Sequence, residues 1–350
     1  MSIFSIDSVN IAGVSACVPA KEVSNHDFDL ISEKERNLFI KATGIENRRV
    51  AALGICTSDL CIKSAEVLLK ELGWKPDDIE ILVFITQTPD YITPATSGII
   101  QNRMGLPKSC IALDINLGCS GYVYGLSVIS SLLSHTLGKK GLLLVGDVSS
   151  ACISAKDKST TPIFSDAGSA TAIENSGDGN MTFNLQGDGS GYKAIIIPDG
   201  GYRNPVNIQS LEYHEERPGI TRNNTHLILE GIDIYNFSVR EVPPNIEALM
   251  NHSEKNKDDI DYYVFHQANK LINEGIRKKL GLRQEQVPYS LKNYGNTSSA
   301  TIPVTIVDQL RKEIFDNSLS VVFSGFGVGL SWSSVLLNTK QVVCPPMIEY

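Results

Sequence analysis

The chain has no Cys-x-x-Cys pair, no histidines at metal-ligand spacing, and no apolar run near the roughly 18 residues that a membrane span needs. Each absence excludes a class of protein. Seven cysteines (17, 56, 61, 110, 119, 152 and 344) are odd in number and thinly spread over 350 residues, so neither a disulfide framework nor a zinc site is expected. The N-terminus lacks a basic segment followed by an apolar core, which leaves a cytoplasmic protein in a reducing compartment as the expectation. A net charge of -8 argues against general nucleic-acid binding. There is no dinucleotide fingerprint either: Gly325-Phe326-Gly327-Val328-Gly329 has the wrong spacing, and the Leu330-Ser331-Trp332 that follows does not open a helix. That loop either aims backbone N–H groups at an oxyanion or is a simple turn. What remains, with 42% hydrophobic and 20% charged residues, is an ordinary soluble globular composition long enough for about two domains.

Helix and strand patterns alternate along the chain. Ser2 to Val18 reads as a strand broken at Gly13, and Asp27 to Ala42 as a helix ended by Thr43-Gly44-Ile45. Thr57 to Leu72 is an amphipathic helix stopped by Gly73, Ile79 to Thr86 a buried strand, and Thr96 to Met104 a helix. Ile111 to Leu117 is strand-like, Tyr122 to Leu137 has the density of a buried helix, and Gly141 to Val145 is a further strand. The alternation indicates an α/β fold with largely parallel sheets.

The second half repeats the first. Asp77-Asp78-Ile79-Glu80-Ile81-Leu82-Val83-Phe84 is echoed by Asp258-Asp259-Ile260-Asp261-Tyr262-Tyr263-Val264-Phe265, and Gly105-Leu106 by Gly281-Leu282. About fifteen residues later one copy reaches Cys119 and the other Asn296, and each runs on into a buried strand, Leu142 to Val145 and Val321 to Phe323. Four landmarks in one order indicate a duplicated unit, divided here into residues 1–174 and 175–350. Packed face to face, two such units would bring the turns bearing Cys119, His266 and Asn296 to one pocket.

Those residues suit nucleophilic chemistry. Cys119 lies where a strand gives way to a helix, between Gly118 and Gly121, so unpaired N–H groups and the helix dipole are expected to favour its thiolate. Read alone, it is equally well a small buried cysteine. His266, in Phe265-His266-Gln267-Ala268-Asn269, sits at a strand end where an imidazole can donate to a substrate oxygen or accept a proton. Asn296, in Tyr294-Gly295-Asn296-Thr297-Ser298, reads alone as a turn and helix cap, but beside a histidine its amide can hold negative charge on a carbonyl oxygen. Ser165-Asp166-Ala167-Gly168 reads as a small-residue turn packed beneath the site, and Arg277-Lys278-Lys279 as a solvated helix face.

Together Asn116-Leu117-Gly118-Cys119-Ser120-Gly121, His266 in His-Gln-Ala-Asn and Asn296 in Tyr-Gly-Asn-Thr-Ser resemble the β-ketoacyl-acyl carrier protein synthase III family. The resemblance runs from about residue 8 to residue 338, taking in Thr43-Gly44-Ile45, Phe164-Ser165-Asp166 and Gly327-Val328-Gly329. It implies a thiolase-like fold of five layers, αβαβα, assembled as a homodimer, and the acyltransferase chemistry of fatty acid biosynthesis. Cys119 is then the acyl-accepting nucleophile, the Cys119 and Val328 amides form an oxyanion hole, and His266 and Asn296 hold the thioester oxygen of malonyl-acyl carrier protein during a decarboxylative Claisen condensation. Neither a metal nor a redox cofactor is implied, and the partners are an acyl thioester and acyl carrier protein.

Several positions depart from the family pattern. Leu38 and Ala42 stand where the family commonly has a Trp and an Arg, and Ala151 where an Arg helps clamp the nucleotide of coenzyme A. A weakened adenine site and a specialised acyl donor follow as expectations. Asn236 and Leu271 replace basic carrier-docking residues, for which Arg240 and Lys270 stand in as candidates. Thr93 occupies a position where the family often places a Phe that reaches the partner's acyl pocket, so a roomier pocket is expected. Two other readings remain: acyl transfer to an alcohol or amine without decarboxylation, and a non-catalytic partner subunit. Hydroxymethylglutaryl-type condensation wants a pocket Glu, and the loop after Phe84 offers only Asp90.

Overall fold

The computed structural model describes residues 3–135 and 139–350. The first half contains strand β1 (Ile3–Val18), helices α1 (Glu33–Thr43) and α2 (Thr57–Leu72), β2 (Ile79–Ile85), α3 (Thr96–Arg103), β3 (Ile111–Ile115), α4 (Gly121–Ser134) and β4 (Lys140–Asp147). Strand β5 (Ala167–Gly187) leads into the second half, which continues with α5 (Gly231–His252), β6 (Tyr262–Phe265), α6 (Lys270–Leu280), α7 (Thr301–Gln309), β7 (Ser320–Gly327) and β8 (Ser331–Asn338). Helix α2 begins and ends where its pattern predicts, with Gly73 as the left-handed cap at φ 66°. Helix α1 starts later than its pattern, at Glu33, because Ser32 and Glu35 close a capping box there. The predicted helix beginning at Tyr122 ends at Ser134, and its last predicted residues, 136 and 137, lie outside the described residues, as does Ser2 of the predicted first strand.

The duplication is legible in the strand pairing. In the first half β2 pairs parallel with β4, β4 antiparallel with residues 167–174 of β5, and those antiparallel with residues 9–17 of β1. In the second half β6 pairs parallel with β7, β7 antiparallel with β8, and β8 antiparallel with residues 181–187 of β5. The two sheets are joined because β1 and β5 each pass through both, bulging on the way, where Asp7 and Val9 of β1 pair with Asn180 and Asn175. The break expected at Gly13 is another register shift within a continuous strand, and the division at residue 174 falls inside β5.

Side-chain parity builds the layers. Ile81, Val83 and Ile85 of β2 point into a central core with α4 and α7, while Leu82 and Phe84 point the other way, onto α2 and α3. Val321 and Phe323 of β7 share that central core, and Val322 packs outward with α5 and α6. The order is therefore helices, sheet, helices, sheet, helices: the expected αβαβα arrangement. Among the described residues no helix is long and apolar enough to cross a membrane. The architecture sets the C-terminal ends of β2, β3 and β4 facing those of β6 and β7, where parallel strands of α/β sheets present their functional residues.

Candidate active site

Cys119 lies at the centre of this meeting point. It follows β3 by one turn and precedes α4, whose N-cap is Ser120. Small residues make the turn possible. A Cβ on Gly327 would sit 2.7 Å from Cys119 Cβ and 2.9 Å from its Sγ, and one on Gly325 would sit 2.8 Å from the Cys119 carbonyl oxygen. Both glycines belong to the end of β7, so Gly325-Phe326-Gly327 is strand backbone pressed against the Cys119 turn, and residues 328–330 form the hairpin to β8. The Val328 N–H, the Cys119 N–H and the Ser298 hydroxyl lie near enough to the sulfur to favour its charged form.

The thiol does not behave as its position at a helix start predicts. Burial pushes it up to about 11, against the N–H groups of Val328 and Cys119 that pull it down. Desolvation wins because only 8% of the residue is exposed, at the walls of the cavities it lines. The resting group is a neutral thiol.

His266 and Asn296 come from the second half. His266 directly follows β6; its Nδ1 lies 2.7 Å from the Thr301 Oγ1, and its ring stands edge-on to Phe326 at 5.4 Å between centroids. It is fully buried, and burial drives it down to about 3, partly offset by a hydrogen bond to the Ser298 backbone, so the imidazole is neutral. Asn296 is positioned by backbone on both sides, its N–H donating to Ile163 and its carbonyl accepting from Ser165. Its Oδ1 accepts the Ser298 N–H at 2.9 Å, which leaves the amide NH2 to face outward, 3.5 Å from the Ala268 carbonyl.

Cys119, His266 and Asn296 line one cavity of about 140 Å³ together with Phe164 and Phe326. It adjoins two others. Beyond Cys119 lies a space of about 330 Å³, walled by Gln87, Asn116, Ser149, Cys152 and Leu227 among others, and sharing Cys119, Phe164 and Ile195 with the first. A third cavity, the outer one, of about 520 Å³ shares Ser159, Leu229 and Gly231 with the first and is walled also by the exposed Arg217 and Leu271. Cys119 thus lies where the first cavity meets the 330 Å³ space, the inner one, and is absent from the walls of the outer one.

Chain comparisons agree with this geometry. Residues 113–189 match the family model for 3-oxoacyl-[acyl-carrier-protein (ACP)] synthase III, and residues 250–339 match that for its C-terminal part. The beta-ketoacyl-[acyl-carrier-protein] synthase III of Lactococcus lactis subsp. cremoris (strain MG1363) is 32% identical over 92% of this chain and 96% of its own. The chain belongs to the 3-oxoacyl-[acyl-carrier-protein] synthase III family. Another member, from Clostridium tetani, is 32% identical over 94% of this chain and 98% of its own. The crystal structure of a 3-oxoacyl-(acyl-carrier protein) synthase from Burkholderia xenovorans LB400 superposes with a TM-score of 0.93 at 37% identity, covering 99% of both chains. Family membership makes the chain an acyltransferase of the condensing type.

The remaining predicted positions are scattered. Thr93 is exposed, beside exposed Tyr91 and Ile92, and lines none of the three cavities described above. Leu38, Ala42 and Ala151 are exposed, and the outer cavity is walled by other residues. Lys270 packs its stem against Gly44, while Arg240 pairs with its neighbour Glu241 at 2.5 Å. Asp90 accepts from the Ser58 hydroxyl and is absent from the walls of these cavities, so it supplies no base. Three contributors escaped the sequence reading. Asp147 is fully buried and accepts from the Gln87 N–H (2.7 Å), the Thr86 hydroxyl (3.1 Å) and the Ser299 hydroxyl (2.6 Å), so one carboxylate ties the first half to the turn bearing Asn296. Thr301 reaches His266 from 35 residues away. The hairpin of 214–217 and 220–222, held by Arg222 between Asp157 and Glu216, forms a wall of the outer cavity.

Proposed function

We propose that Cys119 accepts an acyl group from a thioester and that the enzyme condenses it with malonyl-acyl carrier protein by loss of carbon dioxide. The observation that carries this reading is the convergence of Cys119, His266 and Asn296 on one buried cavity, with the Val328 N–H near the sulfur. In the first stage the thioester carbonyl places its oxygen against the Cys119 and Val328 N–H groups, which hold the tetrahedral oxyanion. The acyl–sulfur bond transfers to Cys119, and the thiol proton leaves with the departing thiol. In the second, the malonyl thioester oxygen sits between His266 and Asn296. The carboxylate departs as carbon dioxide, the enolate carbon attacks the acyl-cysteine, the carbon–sulfur bond breaks, and the released Cys119 thiolate takes up a proton from water to return to the thiol. The thioesters carry the activation, so the reaction as written needs no metal or redox cofactor.

The outer cavity suits the arm of a carrier-bound thioester, with Arg240 and Lys270 on packed helices α5 and α6 as the docking cations for an acidic carrier protein. The inner space takes the acyl chain. A homodimer is the proposed assembly: β3 is the sheet's edge strand, Ile111 on it is half exposed, and the apolar loop at Tyr91 and Ile92 lies open nearby in sequence. Thr93 would then help wall the partner's inner space. Two functional halves meeting within β5, in a cytoplasmic enzyme, complete the proposal. Incubation with acyl and malonyl carrier-protein thioesters, followed by intact mass spectrometry and capture of labelled carbon dioxide, tests it. An ester or amide product without decarboxylation would replace it with the alternative acceptor chemistry, and a folded protein that no donor acylates would leave only the partner-subunit role.

A further inference from the structure

His266 can serve a thioester oxygen as donor only if Nε2 carries the proton. A neutral imidazole has one N–H, so Nδ1 must then be a bare acceptor, and a bare acceptor buried without a partner is costly. The neighbour that decides this is Thr301. Its Oγ1 lies 2.7 Å from Nδ1 and 3.0 Å from the Ser298 carbonyl oxygen, and it has a single proton to give. Two arrangements use the contact between Nδ1 and Oγ1. Either the hydroxyl donates to Nδ1 and Nε2–H faces the cavity, or Nδ1–H donates to the hydroxyl, the hydroxyl donates to Ser298, and a lone pair faces the cavity.

The Ser298 carbonyl breaks the tie. It already accepts the Thr301 backbone N–H, which closes the short helical turn Ser298–Ala300. The carbonyl keeps that partner if the hydroxyl proton turns away from it, whereas Nδ1 has no hydrogen donor other than this hydroxyl among the described residues. The same turn orients the second donor, since the Ser298 N–H holds Asn296 Oδ1 and turns the amide NH2 outward. We infer that Thr301 is a positioning residue that fixes His266 in the Nε2–H tautomer, so that one turn, residues 296–301, presents two donors to the same oxygen. The inference rests on the decarboxylative reading given above for what the donor does, but the tautomer itself does not depend on it.

Proton-detected nitrogen NMR of protein labelled at histidine, with His266→Ala to assign the resonance, reads the tautomer without any substrate. In the wild type the proton is expected on Nε2; finding it on Nδ1 overturns the inference whatever the variants do. Thr301→Val keeps the shape and removes the hydroxyl, so the proton is expected to move to Nδ1, which then turns to the Ser298 carbonyl that the ring already approaches. Carbon dioxide release from malonyl thioester is expected to fall about 10²–10³-fold, the usual loss for one catalytic hydrogen-bond donor, while acylation of Cys119 stays within about threefold. Thr301→Ser is expected to restore both tautomer and release. An unchanged tautomer in a Thr301→Val protein with native thermal unfolding, or equal losses in acylation and release, overturns the role. If Thr301→Val fails to fold, the wild-type tautomer and Thr301→Ser decide the matter. Should the wild type show the Nε2–H tautomer yet neither acylate nor decarboxylate, the positioning stands and the reaction reading falls.

Discussion

Two equivalent places in the duplicated unit have been put to opposite uses. In the first half the strand β2 ends at Ile85, whose methyl would lie 2.6 Å from a Cβ on Gly121, so an apolar side chain fills the space over the start of α4. In the second half the residue after Phe265, at the place of Ile85 after Phe84, is His266, held by a threonine hydroxyl and flanked by Phe326. Likewise the turn after β3 is stripped to glycines around one sulfur, whereas its counterpart at 296–301 is dense in hydroxyls and amides. The comparison teaches that the fold supplied convergence and the side chains divided the labour. In the proposed reaction one half offers an atom that attacks and the other offers groups that hold charge.

Breaking the first partner removes everything. Cys119→Ala is expected to show no acyl adduct by intact mass spectrometry with any thioester, and an adduct of unchanged stoichiometry would place the nucleophile elsewhere. Breaking the second should separate the two stages. Asn296→Ala is expected to lower carbon dioxide release about 10²–10³-fold while leaving most of the acylation, since it deletes one oxyanion-type donor; equal losses in both stages would merge the roles. A third test concerns the neutral pair. With the thiol raised to about 11 and His266 lowered to about 3, both are uncharged at neutral pH, so the thiolate fraction and with it the rate of alkylation by iodoacetamide should rise about tenfold per unit from pH 7 towards 10. A rate already level at pH 7 would mean a stored thiolate. Gly327→Ala sharpens the packing side: a Cβ so near the sulfur should cost about 1–3 kcal/mol in thermal unfolding and slow acylation as well. The smallest effect expected is a few-fold shift towards shorter chains for Thr93→Phe across a series of acyl donors, and an unaltered preference would remove that residue from the pocket.

Much of this was legible in the sequence, and the parts that were not share a cause. Helix α2 and the strands of each repeat follow from local periodicity and glycine stops, and the three converging residues follow from the repeat and the family resemblance. The charge state of Cys119 was read in the wrong direction, because a helix start is visible in sequence but the walls around the sulfur come from residues 298 and 325–328. Strand β5 hid its continuity behind Asn175-Ser176-Gly177-Asp178-Gly179-Asn180, which has the composition of a turn and is instead the crossing between two sheets. Thr301 and Asp147 carry no signal of their own: a threonine near a helix start reads as a cap, and an aspartate at a strand end as a turn residue. Their partners lie 35 and 152 residues away.

The contact between Gly327 and Cys119 also bears on how the protein is born. Synthesis proceeds from the N-terminus, so the cysteine emerges more than two hundred residues before Gly327 presses on it and Val328 offers its N–H. Until β7 is made and docked, the thiol has neither its burial nor that amide, and it is an ordinary cysteine rather than a site. A chain that ends before residue 328 therefore lacks both the strand that presses on the cysteine and the Val328 amide beside it. The pocket is complete only with the last two strands of the second sheet.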